Sequence, residues 1–167
     1  DISVDQMWYG RVLRSPHAHA NIISVDTSAA EAMGAVCLTY ADVPHMRYNE
    51  RIVSTPPCLY RDRTVVADKA RHVGEALVGV AAPTEALAEK ALRSIKIVYE
   101  VLQVITTMEQ AQKEGADPIH DTVLLDGVDK PIVNNVAVMR TIDVGDTVKG
   151  FAESDRIFER TYKTPRI

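Results

Sequence analysis

Two histidines, His17 and His19, stand two residues apart in Gly10-Arg11-Val12-Leu13-Arg14-Ser15-Pro16-His17-Ala18-His19-Ala20, the spacing that puts neighbouring side chains on one face of a strand. Neighbouring imidazoles are the raw material of a metal centre, and a metal hydrolase built on them is one reading of the chain. A catalytic zinc takes three protein ligands and an open position, so a third ligand must come from elsewhere. The other histidines, His45, His72 and His120, stand apart without HxxxH, HExxH or paired-cysteine spacing. The pattern therefore favours partly exposed histidines on a structural strand, with no metal ligand assigned.

Other residue types invite chemistry less strongly. Glu75 follows Gly74 and leads into an apolar run, with no second titratable group fixed beside it in sequence. Strand-end hydrogen bonding or a domain contact is the expected role, in place of acid-base catalysis. Arg47, Arg51, Arg61 and Arg63 concentrate positive charge in one region. They read as a solvated or interdomain basic loop ahead of a substrate-steering surface. Cys37 and Cys58 lack CxxC spacing, and iron-sulfur clusters take four cysteines, so this chain is not expected to ligate one. A disulfide is open on count alone, but free thiols in a cytoplasmic protein are the expected state. No catalytic, cofactor-binding or metal-binding residue is assigned.

The elements that would position these groups follow from hydrophobic period and turn residues. Met7–Arg14 and Ala20–Val25 read as strands around the Ser15-Pro16 turn. Ser28 with Glu31 fits a capping box, Gly34 can close the helix, and Ala35–Thr39 reads as a buried strand. The stretch Ala41–Asp62, with Pro44, Pro56 and Pro57, reads as a long, partly ordered excursion of the kind that is functional or packs on a partner. Strand character returns at Val65-Val66 and Ala76–Ala82. Thr84 then caps a helix whose apolar face is Leu87, Ala88, Ala91, Leu92 and Ile95, and Ile95–Glu100 alternates as a half-buried strand. Two β-α-β units result, in an α+β class. Thr106 with Glu109, or Thr107 with Gln110, offers a further cap, and Gly115 a stop. Asp117–Pro131 reads as a linker. Val136–Val144 and Ile157–Lys163 read as strands about a turn or short helix through Asp146–Glu153.

The 167 residues suit one domain, or one domain and part of a second. Nineteen basic and 23 acidic side chains give a net charge of -4, which offers no footprint for nucleic acid or an anionic membrane. The longest apolar run, Ala76–Ala82, is too short to span a bilayer. The chain opens on Asp1 without a basic-then-apolar leader, and a piece of a longer protein is expected.

Taken in order, several strings resemble the molybdenum hydroxylases, the xanthine dehydrogenase and aldehyde oxidase family, over nearly the full length. Gly10-Arg11 through His17-Ala18-His19-Ala20, Val25-Asp26 and Ala41-Asp42-Val43-Pro44 are similar to the opening of that family's molybdenum-binding large subunit. Arg71-His72-Val73-Gly74-Glu75 and Ile97-Val98-Tyr99-Glu100 resemble its later signature. Gly145-Asp146, Phe151-Ala152-Glu153-Ser154-Asp155 and Tyr162-Lys163-Thr164-Pro165-Arg166 resemble the start of its cofactor region. His45 and Gln103 depart from the pattern, where glycine and proline are common.

The resemblance implies an α/β-hammerhead domain over residues 1–115, and a linker with first strands leading into an incomplete molybdenum-cofactor region over 116–167. It implies water-derived hydroxylation of a purine, aldehyde or N-heterocycle on molybdopterin, with electrons passing through iron-sulfur clusters to FAD or another acceptor on other domains or subunits. The catalytic glutamate and the glycine-rich cofactor loops of the family fall downstream of this segment. The segment alone is therefore expected to bind no cofactor and to be inactive, helping to wall the substrate passage. Its implied partners are the cofactor-binding, iron-sulfur and flavin domains or subunits, and a homo-oligomer is compatible with it. A free-standing hammerhead scaffold is the alternative from another class.

Overall fold

A computed structural model describes residues 4–48, 60–125, 127–136, 139, 141–142 and 144–164. It divides into two units, Asp1–Ala137 and Val138–Ile167. In the first, β1 (Tyr9–Arg14), β2 (Ala20–Asp26), a one-turn α1 (Ser28–Glu31) and β3 (Val36–Leu38) precede a 3₁₀ turn at Tyr40–Asp42. After β4 (Tyr60–Arg61) and β5 (Lys69–Ala70) come β6 (Ala76–Ala82), α2 (Glu85–Ser94) and β7 (Lys96–Val101). Another single turn, α3 (Met108–Ala111), leads to β8 (Thr122–Leu125) and β9 (Val128–Pro131).

Both expected β-α-β units are present in sequence order, but neither closes on itself. β2 pairs antiparallel with β7, and β3 pairs antiparallel with β6, so each unit's two strands lie in different three-stranded sheets. The sheet orders are β1-β6-β3, β5-β2-β7 and β4-β8-β9. This exchange of strands locks the two β-α-β units together within Asp1–Ala137, and the α+β class stands.

The core sits between α2 and the first two sheets. Leu77, Val78 and Val80 of β6 are buried, and the fully buried Ala88 and Ala91 of α2 allow helix and sheet to approach closely. Leu87, Leu92 and Ile95 pack around them, so the apolar face legible in sequence is the face that is buried. Thr84 caps α2 by accepting from Leu87 N at 3.2 Å. Each large side chain fully removed from water here contributes about 1.5–3 kcal/mol.

Several local expectations are corrected. β3 is an edge strand, not a buried one: it pairs only with β6 and leaves Val36 and Leu38 about half exposed. Thr27 is the N-cap of α1 in place of Ser28, because Asp26 Oδ1 engages Ser28 through both its amide and its hydroxyl. Gly34 does close that helix, at φ +85. Val65-Val66 is a bend, since Thr64 Oγ1 donates to Val66 O at 2.8 Å and folds the backbone out of any ladder. Asp117–Pro131 is no plain linker, because β8 and β9 form a hairpin that β4 extends. Of the two caps offered near α3, Thr107 with Gln110 is used, and Gly115 follows at φ +77.

In the second unit, α4 (Thr147–Ala152) is capped by Asp146, whose Oδ1 accepts from Lys149 N at 2.9 Å. The expected strand at Ile157–Lys163 has no ladder partner among the described residues and is exposed throughout, so extended sequence character alone does not make a sheet here. Of Val136–Val144, residues 137, 138, 140 and 143 lie outside the described residues, and Val136 makes only an isolated bridge to Val133.

Candidate functional site

The densest gathering of chemistry-bearing side chains is a polar basin of about 280 Å³ where the 40–48 segment, the turn after β4 and the approach to β8 meet. His45, Arg47, Asp62, Asp68, Arg71 and His120 line it. Most of these groups are engaged. Arg47 pairs with Asp129 and donates to Thr122 Oγ1 at 3.0 Å, which fastens the 40–48 segment onto the β8–β9 hairpin. Arg71 pairs with Asp68 at 2.9 Å and donates from Nε to Ile119 O at 3.1 Å, while Lys69 Nζ donates to Pro118 O at 2.8 Å. His45 Nε2 meets Tyr40 O at 2.9 Å, and its ring stacks on Tyr40 with centroids 4.1 Å apart.

His120 differs from its neighbours. Its Nε2 lies 3.8 Å from Asp62 Oδ2, beyond hydrogen-bond reach. Burial, then the Arg71 charge, holds its pKa below the ordinary histidine value, with Arg63 and Lys69 acting the same way and Asp62 opposing. A neutral imidazole of this kind can take a proton. Among the described residues no hydroxyl or thiol hydrogen-bonds it, so the basin presents no activated nucleophile.

The structure separates the two histidines singled out by spacing. Both sit in the corner between β1 and β2, not on a strand. His17 packs edge-on against Tyr99 at a centroid distance of 4.7 Å, and its amide donates to Ser15 Oγ. His19 is 3% exposed, and its Nδ1 meets Gln103 O at 2.8 Å. They are committed to different neighbours, and no group of three potential metal ligands occurs among the described residues.

Glu75 is 8% exposed and accepts from the Arg71 amide, while its backbone carbonyl accepts from Ser15 N at 2.9 Å and Arg63 lies 4.0 Å away. It ties the start of β6 to the β1–β2 corner. Arg63 Nη1 lies 2.9 Å from His72 Nε2, whose Nδ1 meets Val73 O. Thus Arg47 and Arg63 are internal fasteners, Arg61 is exposed, and Arg51 lies outside the described residues. Cys37 is a free thiol whose pKa is raised by burial first and by Glu31 and Asp42 next, which suits a structural cysteine. Cys58 lies outside the described residues.

Sequence reading passes over two groups that matter. Asn135, at φ +56, accepts from Ile119 N at 2.8 Å and donates to Ala111 O at 2.9 Å, tying the chain after the expected linker to α3 before it and to the linker's start. Asp126-Gly127 between Leu125 and Val128 is a hairpin signal, and Gly127 adopts φ +81 as such turns require.

Comparison with known proteins gives a consistent answer. The family model described as "Aldehyde oxidase and xanthine dehydrogenase, a/b hammerhead domain" matches residues 1–103. A probable xanthine dehydrogenase component of Bacillus subtilis is 38% identical over 99% of this chain and 20% of its own length. The nicotinate dehydrogenase large molybdopterin subunit of Eubacterium barkeri is 35% identical over all of this chain and 36% of its own length. Among solved structures, the aldehyde oxidoreductase of Desulfovibrio desulfuricans matches 71% of this chain and 14% of its own at a TM-score of 0.61 and 27% identity. Quinoline 2-oxidoreductase from Pseudomonas putida 86 matches 73% of this chain and 16% of its own at a TM-score of 0.59 and 29% identity. The chain thus spans about a fifth of the length of the Bacillus relative.

Proposed function

Since the chain belongs to the aldehyde oxidase and xanthine dehydrogenase family, as its α/β-hammerhead domain, we propose that it is the hammerhead portion of a molybdopterin-dependent hydroxylase. The whole enzyme hydroxylates a purine, aldehyde or N-heterocycle with oxygen drawn from water. The carrying observation is agreement between the family match over residues 1–103 and a fold shared with two oxidoreductases of known structure.

On this reading residues 1–115 are the hammerhead and 116–167 lead into the cofactor-binding region. The role is architectural: the hammerhead helps wall the substrate passage, and residues 49–59 of the 41–62 excursion expected to make that contact lie outside the described residues. Iron-sulfur domains or subunits pass the electrons to a flavin or another acceptor, in a cytoplasmic enzyme.

When bound, the molybdopterin supplies the redox chemistry. The described residues of this chain do not fit that group. A cradle for its phosphate needs converging backbone amides, commonly on glycines packed too closely for a side chain. Every glycine here except Gly79 has open space where a Cβ would sit, and Gly79 allows ordinary contact with Leu38. The basin arginines are already paired. No step of the hydroxylation is therefore assigned to residues of this chain.

Complementation tests the reading. Mixing the 167-residue chain with the separately produced remainder of the large subunit is expected to restore a molybdenum-containing, hydroxylating complex. Restoration of neither binding nor activity would instead favour a free-standing scaffold.

A further inference from the structure

His120 sits on a short crossing segment, Pro118–Asp121, which carries the chain from the hammerhead to the β8–β9 hairpin. Two cations of the body hold this segment by its carbonyls: Lys69 Nζ grips Pro118 O and Arg71 Nε grips Ile119 O. The next side chain, His120, is three-quarters buried against the same surface. We propose that His120 is a proton-operated latch: uncharged, it lets the crossing segment and hairpin dock on the hammerhead, and charged, it releases them.

The surroundings set the sign. From the body side His120 meets Asp62 at 3.8 Å and the charges of Arg63, Lys69 and Arg71. Asp68 also lines the basin, but it is paired with Arg71. From the 40–48 segment come Tyr40, His45 and Arg47, the last paired with Asp129 of the hairpin. Its own segment adds Asp121. A proton on His120 would place positive charge on the segment that two cations already hold, with the Asp62 carboxylate 3.8 Å from its ring. Of the carboxylates around it, Asp62 is the one that opposes, and it does not offset burial and the Arg71 charge, to which Arg63 and Lys69 add.

Linkage gives the window. A histidine whose folded pKa is depressed binds fewer protons when docked than when released, so docking is at full strength above about 6.5 and is lost as pH falls below it. One such group can change the docking equilibrium by at most about tenfold at one unit below its free value.

Hydrogen exchange on the full chain, corrected for intrinsic rates, tests this at pH 7.5 and 5.5 with β6 as internal reference. Protection of Thr122–Leu125 and Ile132 should fall severalfold, up to about tenfold, at pH 5.5 while β6 is unchanged. His120→Gln should abolish that pH dependence. Asp62→Asn, which keeps the ring and removes the opposing charge, should deepen the loss. An unchanged hairpin at pH 5.5, an equal loss in His120→Gln, or a shallower loss in Asp62→Asn would overturn the proposal.

Discussion

The hammerhead body and the hairpin annex are held by different physics. The body, built from the sheets β1-β6-β3 and β5-β2-β7 with α2, buries Leu77, Val78, Val80, Ala88 and Ala91. The annex, β4-β8-β9 with the crossing segment, contributes Val123 as its one large, fully buried side chain among the described residues. It is otherwise fastened by Arg47 to Thr122 and Asp129, by Lys69 and Arg71 to backbone carbonyls, and by Asn135. Apolar burial is non-directional and cooperative, whereas each polar fastener is local and modest. The body should therefore unfold as one unit, with the annex opening at lower cost.

The largest blow to that contrast falls on the core. Leu77→Ala should lower global stability by about 2–5 kcal/mol in denaturant unfolding, with the full loss of protection read in β6 and a smaller one in the annex, which already exchanges through its own cheaper opening. Asn135→Ala removes a clasp and places alanine in a left-handed conformation. It should weaken the annex by about 1–3 kcal/mol with β6 protection intact, and an equal loss in β6 would erase the distinction. Glu75→Ala strips a partner from the Arg71 amide and should cost about 1–3 kcal/mol, seen first in the Arg71–Gly74 turn before β6. Glu75→Gln retains an acceptor and should recover most of it. Arg47→Met is the mildest, at about 0–1 kcal/mol and confined to hairpin exchange, because its partner Asp129 is exposed.

The same contrast governs what the sequence discloses. The α2 face and the β6 run are legible because burial imposes period: Leu87, Ala88, Ala91, Leu92 and Ile95 recur at helical spacing, and they pack accordingly. The exchange of strands between the two β-α-β units is not, since pairing of β2 with β7 and β3 with β6 is a tertiary choice that leaves no local mark. The annex escapes for another reason. Its fasteners join residues up to 82 positions apart, as with Arg47 and Asp129, and charged side chains look the same in sequence whether solvated or paired. His17 and His19 illustrate the risk in spacing arguments, because Ser15 holds the backbone in a corner and the i, i+2 rule fails outside a strand. Glu75 makes the strand-end hydrogen bonds that its place before an apolar run suggests. Family strings carry the functional reading further than any cluster of reactive groups.

On the proposed function, this segment supplies architecture while other parts of the enzyme hold the cofactor. Molybdenum and pterin analysis of the 167-residue chain, purified from a host that makes molybdopterin, tests it most directly. The expected content is far below one molybdenum per chain, and one tightly bound molybdopterin per chain would overturn that division of roles.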